Sequence, residues 1–98
     1  MFAKTPLLAA LAATMTIAAT PAEARRGEQS DAREDAEAGK VKKLREIEAS
    51  IVPRMRGWQY LGPEYDNRAL VYRLKFLRDE RVKYVDVDAR TGGVLRER

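Results

Sequence analysis

Two alternating runs near the C-terminus constrain this chain more than any other feature. Ala69 to Leu77 reads ALVYRLKFL and places Leu70, Tyr72, Leu74 and Phe76 on one side of an extended backbone. Val71, Arg73 and Lys75 fall on the other side, because side chains alternate along a strand. The polar stretch Arg78-Asp79-Glu80-Arg81 follows, and Val82 to Asp88 alternates again. If Leu77 opposes Val82, Leu74 faces Val85, Tyr72 faces Val87 and Leu70 faces Ala89, all on the apolar side. On the other side Arg73 faces Asp86, Lys75 faces Tyr84 and Val71 faces Asp88. A slip of one residue would exchange the faces of one strand, so agreement between two independent runs predicts an antiparallel pair in this register. Lys83 falls opposite Phe76, where its stem can cover the ring while its ammonium reaches water.

Upstream the apolar period changes. Val41, Leu44, Ile47, Ile51 and Met55 recur every three or four residues, which puts them on one side of a helix. Pro53 cannot donate a helical hydrogen bond, so the regular helix is expected to end near Val52, with a looser turn up to Gly57. Trp58 to Leu61 reads as a first strand closed by Gly62-Pro63, and the proline favours an edge position. Asp66-Asn67-Arg68 has turn chemistry. The expected fold is α+β, one amphipathic helix packed on a small antiparallel sheet over residues 40–98. Its core would hold Leu44, Ile47, Ile51, Leu70, Tyr72, Leu74, Val85 and Val87.

The chain before this domain divides in two. Lys4 precedes an uncharged run from Leu7 to Ala19, and Ala22-Glu23-Ala24 matches the small-x-small pattern of signal peptidase. Residues 1–24 are therefore expected to be a signal peptide cut after Ala24, with export to the periplasm or beyond. The run falls short of the ~20 strongly apolar residues a span requires, so no stable membrane insertion is expected after cleavage. Arg25 to Ala38 (RRGEQSDAREDAEA) has no large apolar side chain to offset its ordering entropy, so residues 25–39 read as a mobile polar arm.

What remains after Ala24 is 74 of the 98 residues, a single small domain without cysteine or histidine. Removing Lys4 and Glu23 with the leader keeps the net charge at +4. Charges of both signs are interleaved, without the dense basic patch of a nucleic-acid binder. No Ser–His or Cys–His pair, zinc-ligand set or phosphate-binding glycine loop is available, so neither a catalytic residue nor a cofactor is assigned.

The ending YVDVDARTGGVL carries the one acid pair worth weighing. Asp86 and Asp88 lie about 7 Å apart on one face of a strand at ~3.3 Å per residue. That separation suits paired catalytic carboxylates or two ligands of a hard cation. An open sheet offers no walled cleft to shift a pKa, and Arg73, Lys75, Lys83 and Arg90 surround the pair. Asp86 is therefore given a cross-strand ion pair with Arg73, and Asp88, Thr91, Gly92 and Gly93 are given the turn. Either glycine can supply a positive φ. Aromatics in the strands (Trp58, Tyr60, Tyr65, Tyr84) are assigned to packing rather than to stacking on a ligand.

In their order, Leu44-Arg45-Glu46-Ile47, Val71-Tyr72-Arg73-Leu74-Lys75 and the run from Tyr84 to Leu95 resemble a PepSY domain, the module named for peptidase propeptides and a spore-cortex protein. The likeness covers about Val41 to Arg96, and its most specific part is the VDxxTGxVL ending. It implies one helix on an antiparallel sheet and a non-catalytic role toward a protein partner, either a peptidase or the outer part of a sensor. A glycine common at the family's hairpin is replaced here by Asp79-Glu80-Arg81, which argues against a tight two-residue turn. The sheet face away from the helix should carry Val71, Arg73, Lys75, Val82, Tyr84 and Asp86. Of these, Arg73, Lys75, Tyr84 and Asp86 are the candidate partner-binding residues. A homodimer is compatible with such a face. The alternatives are an envelope-surface protein held to anionic lipid or polysaccharide by its charge, or an enzyme using Asp86 and Asp88 with a metal.

Overall fold

A computed structural model describes residues 21–98 as two helices and a four-stranded antiparallel sheet. Helix α1 spans Pro21–Glu37 and α2 spans Leu44–Ile51, continued by a 3₁₀ turn over Val52–Arg54. Strands β1 (Gln59–Asp66), β2 (Val71–Arg78), β3 (Arg81–Asp88) and β4 (Val94–Glu97) lie side by side in chain order. The α+β architecture is the one expected from the sequence. Most of the proposed signal peptide, residues 1–20, lies outside the described residues, and Pro21 to Ala24 form the first turn of α1.

The β2–β3 register matches the expectation pair for pair. Leu74 faces Val85, Tyr72 faces Val87, Arg73 faces Asp86 and Leu77 faces Val82. The Leu70–Ala89 pairing survives as a backbone bond, the Ala89 N–H donating to the Leu70 carbonyl at 2.9 Å. The hairpin itself corrects the expectation of a wider connection. Arg78 pairs with Arg81, so only Asp79 and Glu80 turn the chain, and both take positive φ (49° and 65°). Both central residues of a type I′ turn need that conformation, because its twist matches that of the flanking strands. The strand geometry imposes the turn although no glycine is present.

Other boundaries moved for identifiable reasons. Strand β1 does not stop at Gly62-Pro63; a bulge at Leu61 absorbs the irregularity and pairing resumes to Asp66. An edge strand tolerates the missing proline N–H, and β1 is an edge. Strand β2 starts at Val71 rather than Ala69, because Leu70 sits at φ 56° to close the turn from Asp66. Helix α2 starts at Leu44, where the Glu46 carboxylate turns back to accept the Lys43 N–H at 3.3 Å. Val41 precedes the helix yet is buried.

The core lies between the even-numbered face of β2, the odd-numbered face of β3 and the helical layer. Ile47, Ile51, Tyr72, Leu74, Val85 and Val87 are buried as expected, joined by Phe76 and Ala89. Leu44 and Leu70, also expected there, are only partly buried at its margin. Three tyrosines fasten the layers together. Their rings lie in or beside the core, and their hydroxyls donate to Glu48 Oε2 (Tyr60, 2.6 Å), Asp35 Oδ2 (Tyr65, 2.6 Å) and the Lys42 carbonyl (Tyr72, 3.0 Å). Burial, and the carboxylate accepting each bond, push the Tyr60 and Tyr65 hydroxyls well above the ordinary range.

The stretch read as a mobile arm is helix α1, and this is the largest correction. It buries no large side chain. Instead Ala32 is buried and Ala36 half-buried on one face, and Glu28, Asp31 and Asp35 on the same face reach β1 and the turn after it. Glu28 Oε1 accepts the Tyr65 backbone N–H (3.2 Å), Asp31 Oδ2 accepts from Asn67 Nδ2 (3.3 Å), and Asp35 takes the Tyr65 hydroxyl. Small side chains allow close approach, and carboxylates satisfy donors that an apolar helix would leave open. Among the described residues, no helix is long and apolar enough to cross a membrane.

Candidate interaction surface

The sheet face turned away from the helices is crossed by a row of charges. Glu64 on β1, Arg73 on β2, Asp86 on β3 and Arg96 on β4 stand opposite one another in successive strand pairs. The signs alternate from one edge to the other. Arg73 Nε donates to Asp86 Oδ1 at 2.8 Å and Arg96 Nε donates to Asp86 Oδ2 at 3.1 Å, with Arg98 Nη2 3.7 Å from Oδ2. Lys75 Nζ meets Glu64 Oε2 at 3.2 Å.

Asp86 was expected on an exposed face with one modest ion pair. It is instead 3% exposed, roofed by three arginines that themselves reach solvent. Hydrogen bonding from Arg73 holds its carboxyl below the ordinary 3.8 against the opposing effect of burial. A carboxylate so enclosed stabilises the sheet and is not free to meet a partner. Arg73, bound to it, is half-occupied as well: its guanidinium carbon lies 5.4 Å from the centre of the Tyr84 ring. Of the four candidate contact residues, the geometry leaves Lys75, Tyr84 and the outer side of Arg73 accessible, and removes Asp86.

Asp88 has the turn role expected of it. Its Oδ1 accepts the Arg90 N–H at 2.9 Å, its carbonyl accepts the Gly92 N–H at 2.7 Å, and its own N–H donates to the Gly93 carbonyl at 2.8 Å. The Arg90 N–H on its carboxylate, with the charge of the same arginine, lowers its carboxyl pKa. Thr91 Oγ1 accepts from the Gly93 N–H at 3.1 Å. Gly92 is the residue that takes the positive φ, 82°, and this backbone conformation, rather than lack of space, is what favours glycine there. Both oxygens of Asp86 are engaged by arginines and Asp88 faces Arg90. The two aspartates therefore do not form a shared oxygen cage, and among the described residues no three His, Cys, Asp or Glu side chains gather as a metal site.

An open groove of about 740 Å³ adjoins the row, lined by Val71, Leu95, Arg68 and Arg96 together with Glu28 and Asp31 of α1. At the other end of the sheet the Trp58 ring has Arg78 4.5 Å and Lys83 5.0 Å from its centre. Lys83 stands opposite Phe76 as expected, and its ammonium lies over Trp58 and against Glu97, at 3.3 Å. Strand β4 could not be placed from its own four residues, since VLRE neither alternates over a useful length nor carries a strand-specific signal. The signal was indirect: Asp86 needed covering, and Arg96 was the next cation in line.

No protein family, curated protein or solved structure was found to match the chain.

Proposed function

We propose that this chain is an exported, non-catalytic binding module of the PepSY type, which docks through its uncovered sheet face on a protein partner. The partner class is a peptidase or the extracytoplasmic part of a sensor. The observation that carries this reading is the composition of the uncovered face. It sets an aromatic, Tyr84, among Arg73 and Lys75 beside a fixed ion-pair row, and aromatics and arginines are the residues that most often anchor interfaces. The rigid row below them removes conformational freedom before binding, which lowers the entropic cost of association. The resemblance noted in the sequence and the single small domain point the same way.

The test is capture of the partner by purified protein. Lys75→Glu and Tyr84→Ala should each weaken capture about tenfold, or ~1.4 kcal/mol, with unchanged circular dichroism. Full capture by both variants would place the contact elsewhere. Arg73→Glu is unsuitable as a binding variant, because it would set a second carboxylate against the buried Asp86 and disturb the fold. Export has its own test: mass spectrometry should find a mature N-terminus at Arg25, which shortens α1 by one turn and retains Glu28, Asp31 and Asp35. Protein beginning at Met1 in the envelope fraction would refute it.

A further inference from the structure

The two edges of the sheet are treated differently. The β1 edge is broken by the Leu61 bulge, carries Pro63, and has its outward Tyr65 N–H taken by Glu28 of α1. Each of these devices discourages another strand from pairing. The β4 edge has a bulge of its own at Leu95, but beyond it the run Arg96 to Arg98 carries no proline and no helix side chain on its outward backbone, and Val94 and Leu95 stand exposed beside it. Its backbone geometry can be worked out. Arg98 and Tyr84 exchange both backbone bonds, at 2.8 and 2.9 Å. In an antiparallel ladder the bonded pairs alternate, so Arg96 also points its N–H and carbonyl inward, toward Asp86. The backbone groups of Glu97, between them, are directed outward.

Side chains add a second observation. The row Glu64–Arg73–Asp86–Arg96 runs minus, plus, minus, plus, and ends on a cation at the open edge. The neighbouring row ends on Arg98, which is half-exposed. A strand laid beside β4 would continue both rows, and carboxylates two residues apart would meet Arg96 and Arg98 on the same face. A second copy of this chain fits less well, since a twofold β4–β4 pairing centred on Arg96 sets that arginine against itself.

We infer that the free edge of β4 is a docking edge for an extended segment of the partner that carries two carboxylates in an acid-x-acid pattern. This rests on the reading of the chain as a binding module and specifies its partner segment. Backbone bonds to Glu97 supply pairing, and Arg96 with Arg98 supply the choice of sequence.

The probe is an acetylated, amidated heptapeptide alternating Val and Asp, titrated into the full chain at low salt and followed by amide NMR shifts. Shifts are expected at residues 94–98 and at Tyr84 and Asp86. The same peptide with Asn in place of Asp should bind about tenfold more weakly. Glu97→Pro removes the outward N–H and leaves the inward bonds of Arg96 and Arg98, so it should abolish binding while the fold persists. Glu97→Ala, which keeps the N–H, should bind like the parent. Equal binding by the Asn peptide, retained binding by Glu97→Pro, or shifts confined to the helices would overturn the inference. If the peptide fails while Lys75→Glu and Tyr84→Ala still weaken partner capture, the edge assignment falls and the face assignment stands. Failure of both sinks both.

Discussion

Replacing Asp86 by asparagine tests the energetic centre of the sheet. The substitution keeps the shape and two hydrogen-bonding atoms but deletes the charge that three guanidiniums share. Breaking a fully buried ion pair by removing one partner costs about 3–5 kcal/mol. Here the carboxylate is buried but its partners are not: the Arg73, Arg96 and Arg98 side chains are 34%, 63% and 50% exposed. Water can therefore solvate the orphaned cations, and the cost falls to roughly 2–3 kcal/mol. For a domain of this size each kcal/mol moves the melting temperature by about 4–8 °C, so a drop of about 10–20 °C is expected. Urea unfolding followed by circular dichroism gives the same quantity independently, with an unchanged slope. Arg98→Ala, which removes only the 3.7 Å contact, should cost less than about 1 kcal/mol. If Asp86→Asn unfolds within about 0.5 kcal/mol of the parent, the row is decoration and the reasoning fails.

The same carboxylate sets an acid limb. Its folded pKa lies below the ordinary 3.8, so its stabilisation is complete above the unfolded value and is lost as pH falls through the folded one. Stability should decline below about pH 4, and Asp86→Asn should flatten that decline; an equally steep acid limb in the variant would contradict the assignment. Leu74, fully buried opposite Val85, should cost about 2–5 kcal/mol when cut to alanine, enough to unfold much of the population, whereas a parent-like melt would mean the faces are inverted. Glu80 sits at φ 65° in the hairpin, so Glu80→Gly should stabilise by about 1 kcal/mol, and a neutral or lower melting point would show that the turn is not of the type described.

Legibility in the sequence followed the size of the buried side chains. The β2–β3 pair was readable because Tyr72, Leu74, Phe76, Val85 and Val87 alternate strongly and check one another across the strands. The end of α2 was readable because Pro53 enforces it. Helix α1 escaped because it is held by Ala32, Ala36 and three carboxylates, a pattern that a search for large apolar residues passes over. The spacing of Glu28, Asp31, Asp35 with Ala32 and Ala36 was its signal: one helical face, small and acidic. The tight hairpin escaped because Asp79 and Glu80 are forced into a conformation that their own preferences disfavour. Alternation alone puts Asp86 on its strand face, but its burial depends on Arg96 from β4, which local pattern does not announce.

On the proposed reading the face opposite the helices meets the partner. A photo-reactive amino acid in place of Tyr84, or in place of exposed Arg45 on α2, tests it inside the cell envelope. Cross-links are expected from position 84 to a peptidase or to the outer part of a sensor, competed by unlabelled protein, and none from position 45. Cross-links from position 45 with none from 84 would contradict it.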